Sequence, residues 1–259
     1  MTRVFPSPYG VRPATGPSCL PRTSTAPAHK APGIRVRAAD RDTDRPEPWN
    51  SALYAQAIHA PIGEVTLRDG EGWSLPLDVA RWSGGADPAD QAVLERCKGR
   101  VLDVGCGAGR LVEALTQRGH IVLGIDVSPA AVISTACRGG HAHSGSVFAP
   151  VPDEGRWDSA LLIDGNIGIG GDPRRLLRRL HDLVRPAGLL LVETSARDVD
   201  ERRRVAIHVG RRPAGPIFPW ATVGTQALVR HGRLSGWAPL EQWTSLSGER
   251  HFAVLRACP

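Results

Sequence analysis

The sequence predicts an α/β fold built on a doubly wound, mostly parallel sheet, and three observations point to it. Apolar runs of strand length alternate with segments whose apolar residues recur at helical spacing, the pattern of successive β-α units. Three of the helical segments open on one device, an Asp or Ser followed by Pro: Asp87-Pro88, Ser128-Pro129 and Asp172-Pro173. The first residue caps unpaired N–H groups, and proline already has the dihedral angle that the first helical position needs. A glycine-rich turn, Gly105-Cys106-Gly107-Ala108-Gly109, joins an apolar strand to the helix after it.

In chain order, residues 1–45 are rich in Pro, Ala, Ser, Thr and Arg with little apolar periodicity. Such a segment cannot bury enough surface to offset the entropy of ordering, and it reads as a disordered tail. Residues 46–87 carry Trp49, Tyr54, Trp73 and Trp82 among Gly and Pro and read as a cap packed against, or partly over, the domain that follows. That domain, 88–259, begins with a helix over 88–97 and a buried strand over 100–104. A helix over 110–117, a strand over 120–125 and a helix from 129 to about 138, stopped by Gly139-Gly140, come next. The apolar run 157–163 is a further strand, 173–184 a helix stopped by Pro186 and Gly188, and 189–192 another strand. From about 220 to 231 the pattern is helical, and 237–246 and 249–255 form a hairpin about Ser247-Gly248.

Length and composition limit the answer. The 259 residues, 41% of them hydrophobic, suffice for one full α/β domain with decorations and not for two. No uninterrupted apolar stretch has the length of a membrane span and no secretory core opens the chain, so a soluble, cytoplasmic protein without a membrane partner is expected. The five cysteines form no C-x-x-C pair and have no histidine at ligand spacing, which excludes a disulfide frame and a zinc site as expectations. The net charge is +6, but residues 1–45 hold eight Arg or Lys against three Asp. The rest is nearly neutral, so nucleic acid is not expected as a partner; the arginine runs 174–175, 178–179, 202–204 and 211–212 read as solvated faces.

The glycine loop carries the chemistry. Its strand is Val101-Leu102-Asp103-Val104, and a second strand ends in Gly124-Ile125-Asp126-Val127-Ser128. Glycines let the backbone turn sharply and let a ligand approach the main chain, while the helix behind presents unpaired N–H groups. Asp126 follows Gly105 by 21 residues, close to the spacing at which a strand-end carboxylate reaches the hydroxyls of a ribose. A dinucleotide fingerprint requires a third small residue three positions after Gly107, and Arg110 stands there. A nicotinamide-dependent oxidoreductase is therefore the alternative, and a non-catalytic cofactor-binding protein a second one.

The loop Asp103-x-Gly105-x-Gly107-x-Gly109 resembles the first motif of class I S-adenosylmethionine-dependent methyltransferases, and Gly124-Ile125-Asp126-Val127-Ser128 resembles their second. The resemblance covers 88–259. It implies a Rossmann-like, mostly parallel seven-stranded sheet with an antiparallel C-terminal hairpin, and S-adenosyl-L-methionine as cofactor. It further implies that Asp103 and the loop Gly105, Cys106, Gly107 and Gly109 hold the methionine part, and that Asp126, with Val127 beside it, holds the ribose.

In an open parallel sheet, ligands bind outside the carboxyl ends of the strands. That selects the glycine loop, Asp126, Asp164-Gly165-Asn166 and Glu193-Thr194-Ser195. Four glycines fall within the nine residues after Asp164, and the family resemblance makes this segment the one lining the gap between methyl donor and acceptor. Asp164, Asn166 and Glu193 are the candidate catalytic residues, with Asp164 also facing the cofactor. A base is optional, because methyl transfer mainly requires a nucleophile held in line with the methyl group and sheltered from water. His181, His208, His231 and His251 are further candidates; His181, on an arginine-rich helix, reads as solvent-facing. Methyltransferases acting on adenine, cytosine or glutamine amino groups resemble one another in an Asp/Asn-Pro-Pro-aromatic segment. Here that place reads Asp164-Gly165-Asn166-Ile167, so a small-molecule acceptor is expected.

Overall fold

The computed structural model describes residues 65–259. The tail 1–45 and the first part of the cap segment, 46–64, lie outside the described residues. Strands β1 (Val65–Arg68) and β2 (Ser74–Pro76) precede helices α1 (Val79–Ser83) and α2 (Pro88–Leu94). There follow β3 (Arg100–Val104), α3 (Arg110–Gln117), β4 (Ile121–Asp126), α4 (Pro129–Cys137), β5 (Ala142–Ser144), β6 (Trp157–Leu162), α5 (Pro173–Leu183) and β7 (Val184–Thr194). The chain continues through β8 (Asp200–Val209), β9 (Arg212–Pro213), β10 (Phe218–Val223), α6 (Thr225–Arg233), β11 (Trp237–Thr244) and β12 (His251–Ala257).

Seven strands form the main sheet in the order β11-β12-β7-β6-β3-β4-β5. Pairs β3/β4, β3/β6, β4/β5 and β6/β7 are parallel, and the β11–β12 hairpin joins β7 antiparallel. The expected mostly parallel, seven-stranded, doubly wound sheet is present. Successive strands are laid down outward from β3, first β4 and β5, then β6 and β7 on its other side. This reversal opens a crevice outside the carboxyl ends of β3 and β6.

Alternate residues of the central strands serve opposite faces. Leu102, Ala160, Leu162, Leu190 and Val192 pack with Leu176, Leu177, Leu180 and Leu183 of α5 and Leu228 of α6. Val101, Leu161, Leu189 and Leu191 pack with Val93 and Leu94 of α2 and Leu111, Val112 and Leu115 of α3. The caps behave as the sequence implies at two helices: Asp87 Oδ1 accepts from the Asp90 N–H at 2.7 Å, and Asp172 Oδ1 accepts from the Arg174 and Arg175 N–H groups. At α4 the Ser128 side chain makes no capping bond.

A second, antiparallel sheet, β10-β8-β1-β2 with β9 beside β8, departs from the sequence reading. Residues 65–68 of the cap segment pair with 206–209, and 74–76 pair back onto 66–68. Val65, Leu67, Val205, Ile207, Phe218 and Trp220 build its own small core, which meets the main domain through Ile169. The helix expected from about 220 is a strand as far as Val223, and α6 starts only at Thr225. Trp220, Thr222 and Val223 favour the pleat, and they find partners on β8. The three-residue β5 was also not anticipated.

Candidate active site

The site assembles at the carboxyl ends of β3, β4, β6 and β7, so the topology brings Asp103, the glycine loop, Asp126, Asp164, Asn166 and Glu193 to one crevice. Its two sides are built differently.

On the β3–β4 side the scaffold is main chain. The N–H groups of Gly105 and Cys106 both donate to the Ile125 carbonyl, at 2.8 and 3.1 Å, which fastens the loop to β4. Two positions there exclude a side chain: at Gly105 (φ 74°) a Cβ would lie 2.6 Å from Asn166 Nδ2, and at Gly109 (φ 85°) it would lie 2.8 Å from the Thr135 backbone. Asp126 accepts one N–H on each oxygen, from Gly107 at 3.0 Å and from Ser128 at 2.8 Å. Both bonds orient the carboxylate and leave further lone pairs for a ligand. Burial raises its pKa, against the pull of those two amides. Val127 is half-buried next to it.

Cys106 turns inward. Its Sγ lies 3.8 Å from Thr135 Oγ1, fills the space a Gly124 side chain would take, and is pushed by burial well above the ordinary thiol range, so it is a packing group and no nucleophile. Asp103 is 2% exposed, and its Oδ2 makes no hydrogen bond. Burial pushes its carboxyl up to about 7; Arg110 pulls it down, and Asp164, Asp126 and Asp90 push it further up.

On the β6–β7 side the carboxylates are paired. Arg110, 4% exposed at the first position of α3, reaches Asp90 through Nε at 2.9 Å and Asp164 through Nη1 at 2.6 Å. Asp90, in the first turn of α2, is fully buried, accepts the Asp87 N–H and also meets Arg250 Nη1 at 3.0 Å. Although burial raises its pKa, Arg110 and Arg250 outweigh that and hold it below the usual carboxylate range. Arg250, from the β11–β12 turn, grips Glu193 with Nε and Nη2, both at 2.8 Å. Glu193 Oε2 in turn accepts the Asp164 N–H at 2.8 Å. Asp164 itself has φ 59°, a left-handed conformation that its acceptor network sustains. Burial raises its pKa, and Arg110 and Arg81 pull it back down. Asn166 donates from Nδ2 to the Val104 and Gly105 carbonyls at 2.9 and 3.0 Å, bracing the glycine loop from across the crevice.

Sequence reasoning missed Arg81, Asp90, Arg110 and Arg250 as site residues. Arg110 was visible as the residue that spoils a dinucleotide loop, but nothing in the sequence ties it to residues 20, 54 and 140 positions away. The histidines lie apart. His181, expected to face solvent, packs edge-on against Trp237 and lies 3.1 Å from the Cys258 carbonyl. His231 is buried between Arg174 Nε and Asp200, and His251 Nδ1 is 3.5 Å from Thr244 Oγ1. His208, on β8, has a buried Nδ1 without a partner.

The strand order with a glycine loop and helix at the switch point defines the class I methyltransferase fold. A family model described as a methyltransferase domain matches residues 85–227, more than half of the chain, and the chain belongs to that family. It is 30% identical over 222 residues to the release factor glutamine methyltransferase of Rhodospirillum rubrum, covering 65% of this chain and 66% of that one. To the ubiquinone biosynthesis O-methyltransferase of Pseudomonas aeruginosa it is 25% identical over 146 residues, covering 54% of this chain and 62% of that one. The chain thus spans just under two thirds of the length of these curated relatives. The structure of a SAM-dependent methyltransferase from Bacteroides fragilis, solved in complex with S-adenosyl-L-homocysteine, superposes with a TM-score of 0.68 at 21% identity, over 81% of this chain and 94% of that one.

Proposed function

We propose that this protein is an S-adenosylmethionine-dependent methyltransferase acting on a small-molecule acceptor. The observation that carries the reading is the β3–β4 side of the crevice. There Asp126 is held by two backbone amides with lone pairs to spare, and Asp103 keeps a buried oxygen without a partner. A buried, unpaired carboxylate oxygen suits a cationic ligand.

In this reading Asp126 takes the ribose hydroxyls, with Val127 flanking the nucleoside. Asp103 and the loop from Gly105 to Gly109, including the Cys106 main chain, take the amino-acid moiety. When bound, S-adenosylmethionine supplies a methyl group on an electrophilic sulfonium. Asp164, Asn166 and Glu193 form the acceptor side. Their polar atoms are committed to Arg110, Arg81, Arg250 and the glycine-loop carbonyls, so we assign them to positioning the crevice rather than to taking a proton. Such a site needs an acceptor atom that is nucleophilic as it binds.

Asp164-Gly165-Asn166-Ile167 lacks the Pro-Pro-aromatic segment suited to planar amino groups, which favours a small metabolite over a nucleobase or a glutamine side chain. The thiols of Cys97, Cys106 and Cys258 fit a cytoplasmic protein, and no helix among the described residues is long and apolar enough to cross a membrane. Isothermal titration of the purified protein with S-adenosylmethionine should give saturable heat that Asp126→Ala abolishes. Unchanged binding by that variant would remove the ribose assignment.

A further inference from the structure

We propose that the methyl acceptor is a neutral primary or secondary amine whose N–H is held by Asn166 Oδ1; this rests on the methyltransferase reading above. Two independent observations carry it, one of hydrogen bonding and one of charge.

Asn166 stands at the switch point, where the segment after β6 faces the glycine loop. Both protons of its Nδ2 are spent on main-chain carbonyls, Val104 at 2.9 Å and Gly105 at 3.0 Å. Carbonyls only accept, so they fix which end of the amide is nitrogen and therefore where its oxygen lies. A Cβ at Gly105 would lie 2.6 Å from Nδ2 and 3.2 Å from Oδ1, which puts the oxygen over the glycine loop as well. Among the described residues nothing donates to Oδ1. The carboxylates beside it differ: every oxygen of Asp164 and Glu193 already receives a guanidinium or amide proton. Asn166 Oδ1 is thus the acceptor on this side left for a substrate proton, on an amide that the two carbonyls hold rigid.

Charge selects the kind of donor. Six carboxyl groups, Asp87, Asp90, Asp103, Asp126, Asp164 and Glu193, gather here against three guanidinium groups, Arg81, Arg110 and Arg250. The crevice has an excess of acid. An anionic nucleophile such as a thiolate or phenolate is repelled on entry, and its attack cancels the sulfonium charge that the carboxylates favour. A neutral alcohol has to lose its proton as it attacks, and no carboxylate on the β6–β7 side is free to take it. A neutral amine requires neither. Its lone pair attacks the methyl carbon as the carbon–sulfur bond breaks; that bond's electron pair stays on sulfur, and the positive charge passes to nitrogen. The N–H held by Asn166 becomes a stronger donor on the way, so the bond gains strength in the transition state. The ammonium product gives up its proton to water after release.

The test uses the full chain, S-adenosylmethionine labelled in its methyl group, and acceptors that differ only at the reacting atom. These are methylamine and benzylamine, their N,N-dimethyl forms, and the corresponding alcohols and thiols. The two primary amines should be methylated with kcat/KM at least about tenfold above the alcohols and thiols. The pH at which that rate rises should follow the basicity of the amine used. Asn166→Ala should cost the primary amines about 10–100-fold more than the tertiary ones, which have no N–H; this is the range of one charge-assisted hydrogen bond, whereas loss of the loop brace affects both alike. Equal losses for amines with and without an N–H would overturn the role of Asn166. The native protein alone decides the substrate class, whether or not the variant folds. Preference for alcohols or thiols, absence of amine turnover, or a pH inflection that stays fixed whichever amine is used would overturn the amine assignment, while saturable binding of S-adenosylmethionine would leave the methyltransferase reading standing. Failure to bind that compound would remove both.

Discussion

The two sides of the crevice hold carboxylates in opposite ways. On the β3–β4 side, Asp126 is met by main-chain amides, and Asp103 keeps one buried oxygen without a hydrogen bond. Asp164 and Glu193, on the β6–β7 side, are met by guanidinium groups at 2.6–2.8 Å. Under the proposed function, the difference separates groups available to a ligand from groups that fix the walls. A paired carboxylate stabilises the fold and has little left to offer chemistry, whereas an unpaired buried one destabilises the fold and is retained only where something else completes it.

The largest effect should come from cutting the paired side at its centre. Asp90 is fully buried and bridges Arg110 and Arg250. Asp90→Ala takes one carboxylate from each of two guanidinium groups, leaving Arg110 with Asp164 and Arg250 with Glu193 and Asp87, and removal of one member of a buried ion pair typically costs about 3–5 kcal/mol. Urea unfolding should show that loss. A change below about 1 kcal/mol would mean that the cluster is solvated and that the contrast between the two sides is unfounded.

The contact between the sides is the next target. Gly105→Ala places a Cβ at φ 74° and 2.6 Å from Asn166 Nδ2, for a loss of roughly 2–3 kcal/mol from backbone strain and overlap together. Asn166→Ala in the same chain removes the overlap but not the strain. The double variant should therefore recover about 1 kcal/mol relative to additivity, read from a double-mutant cycle of unfolding free energies. Strict additivity would show that Asn166 does not brace the loop.

What the sequence made legible follows the same division. Strand β3, helix α3 and the end of β4 were readable because they lie within 27 consecutive residues, Arg100 to Asp126, where apolar periodicity and glycine spacing leave few alternatives. Two of the three Pro-initiated helices were readable from their caps in full. The ion cluster was not readable, because Arg81, Asp90, Arg110, Asp164, Glu193 and Arg250 meet only through the sheet order. The second sheet escaped for a related reason: Val65 to Arg68 and Ala206 to Val209 are separated by more than 130 residues, and Asp200 to Arg204 is so charged that its period-two alternation resembles a solvated loop. Trp220 to Val223 was read as helix because α6 follows directly after Gly224.

Asp103 gives the reverse sign to Asp90. Its folded-state pKa of about 7 lies above the ordinary value of 3.8, chiefly through burial. Between those two values the folded protein keeps a proton that the unfolded chain has lost. The contribution of this group to stability is complete below pH 4 and disappears as pH rises through 7. Asp103→Asn removes the titration, so the variant should match the native protein near pH 4 and exceed it at pH 8 by roughly 1–3 kcal/mol in chemical unfolding. The same variant should bind S-adenosylmethionine about tenfold more weakly, by loss of one charge-assisted contact. A native-minus-variant difference independent of pH would show that Asp103 is ionised throughout.

The smallest effects distinguish two helix caps. Ser128 leads α4 on the open side, where its N–H serves Asp126 and its Oγ is buried without a partner. Asp172 leads α5 on the other side and accepts two N–H groups with one oxygen. Asp172→Ala should lower stability by about 1 kcal/mol and leave cofactor affinity untouched, since its bonds are entirely internal to the helix. Ser128→Ala removes no hydrogen bond of the free protein and should change unfolding free energy by less than about 0.5 kcal/mol. If its hydroxyl serves the ligand, as proposed for the unpaired oxygen of Asp103, affinity for S-adenosylmethionine should instead fall about threefold to tenfold. A capping-sized stability loss at Ser128 with unchanged affinity would place it with the structural groups and move the boundary between the two sides to Asp126 itself.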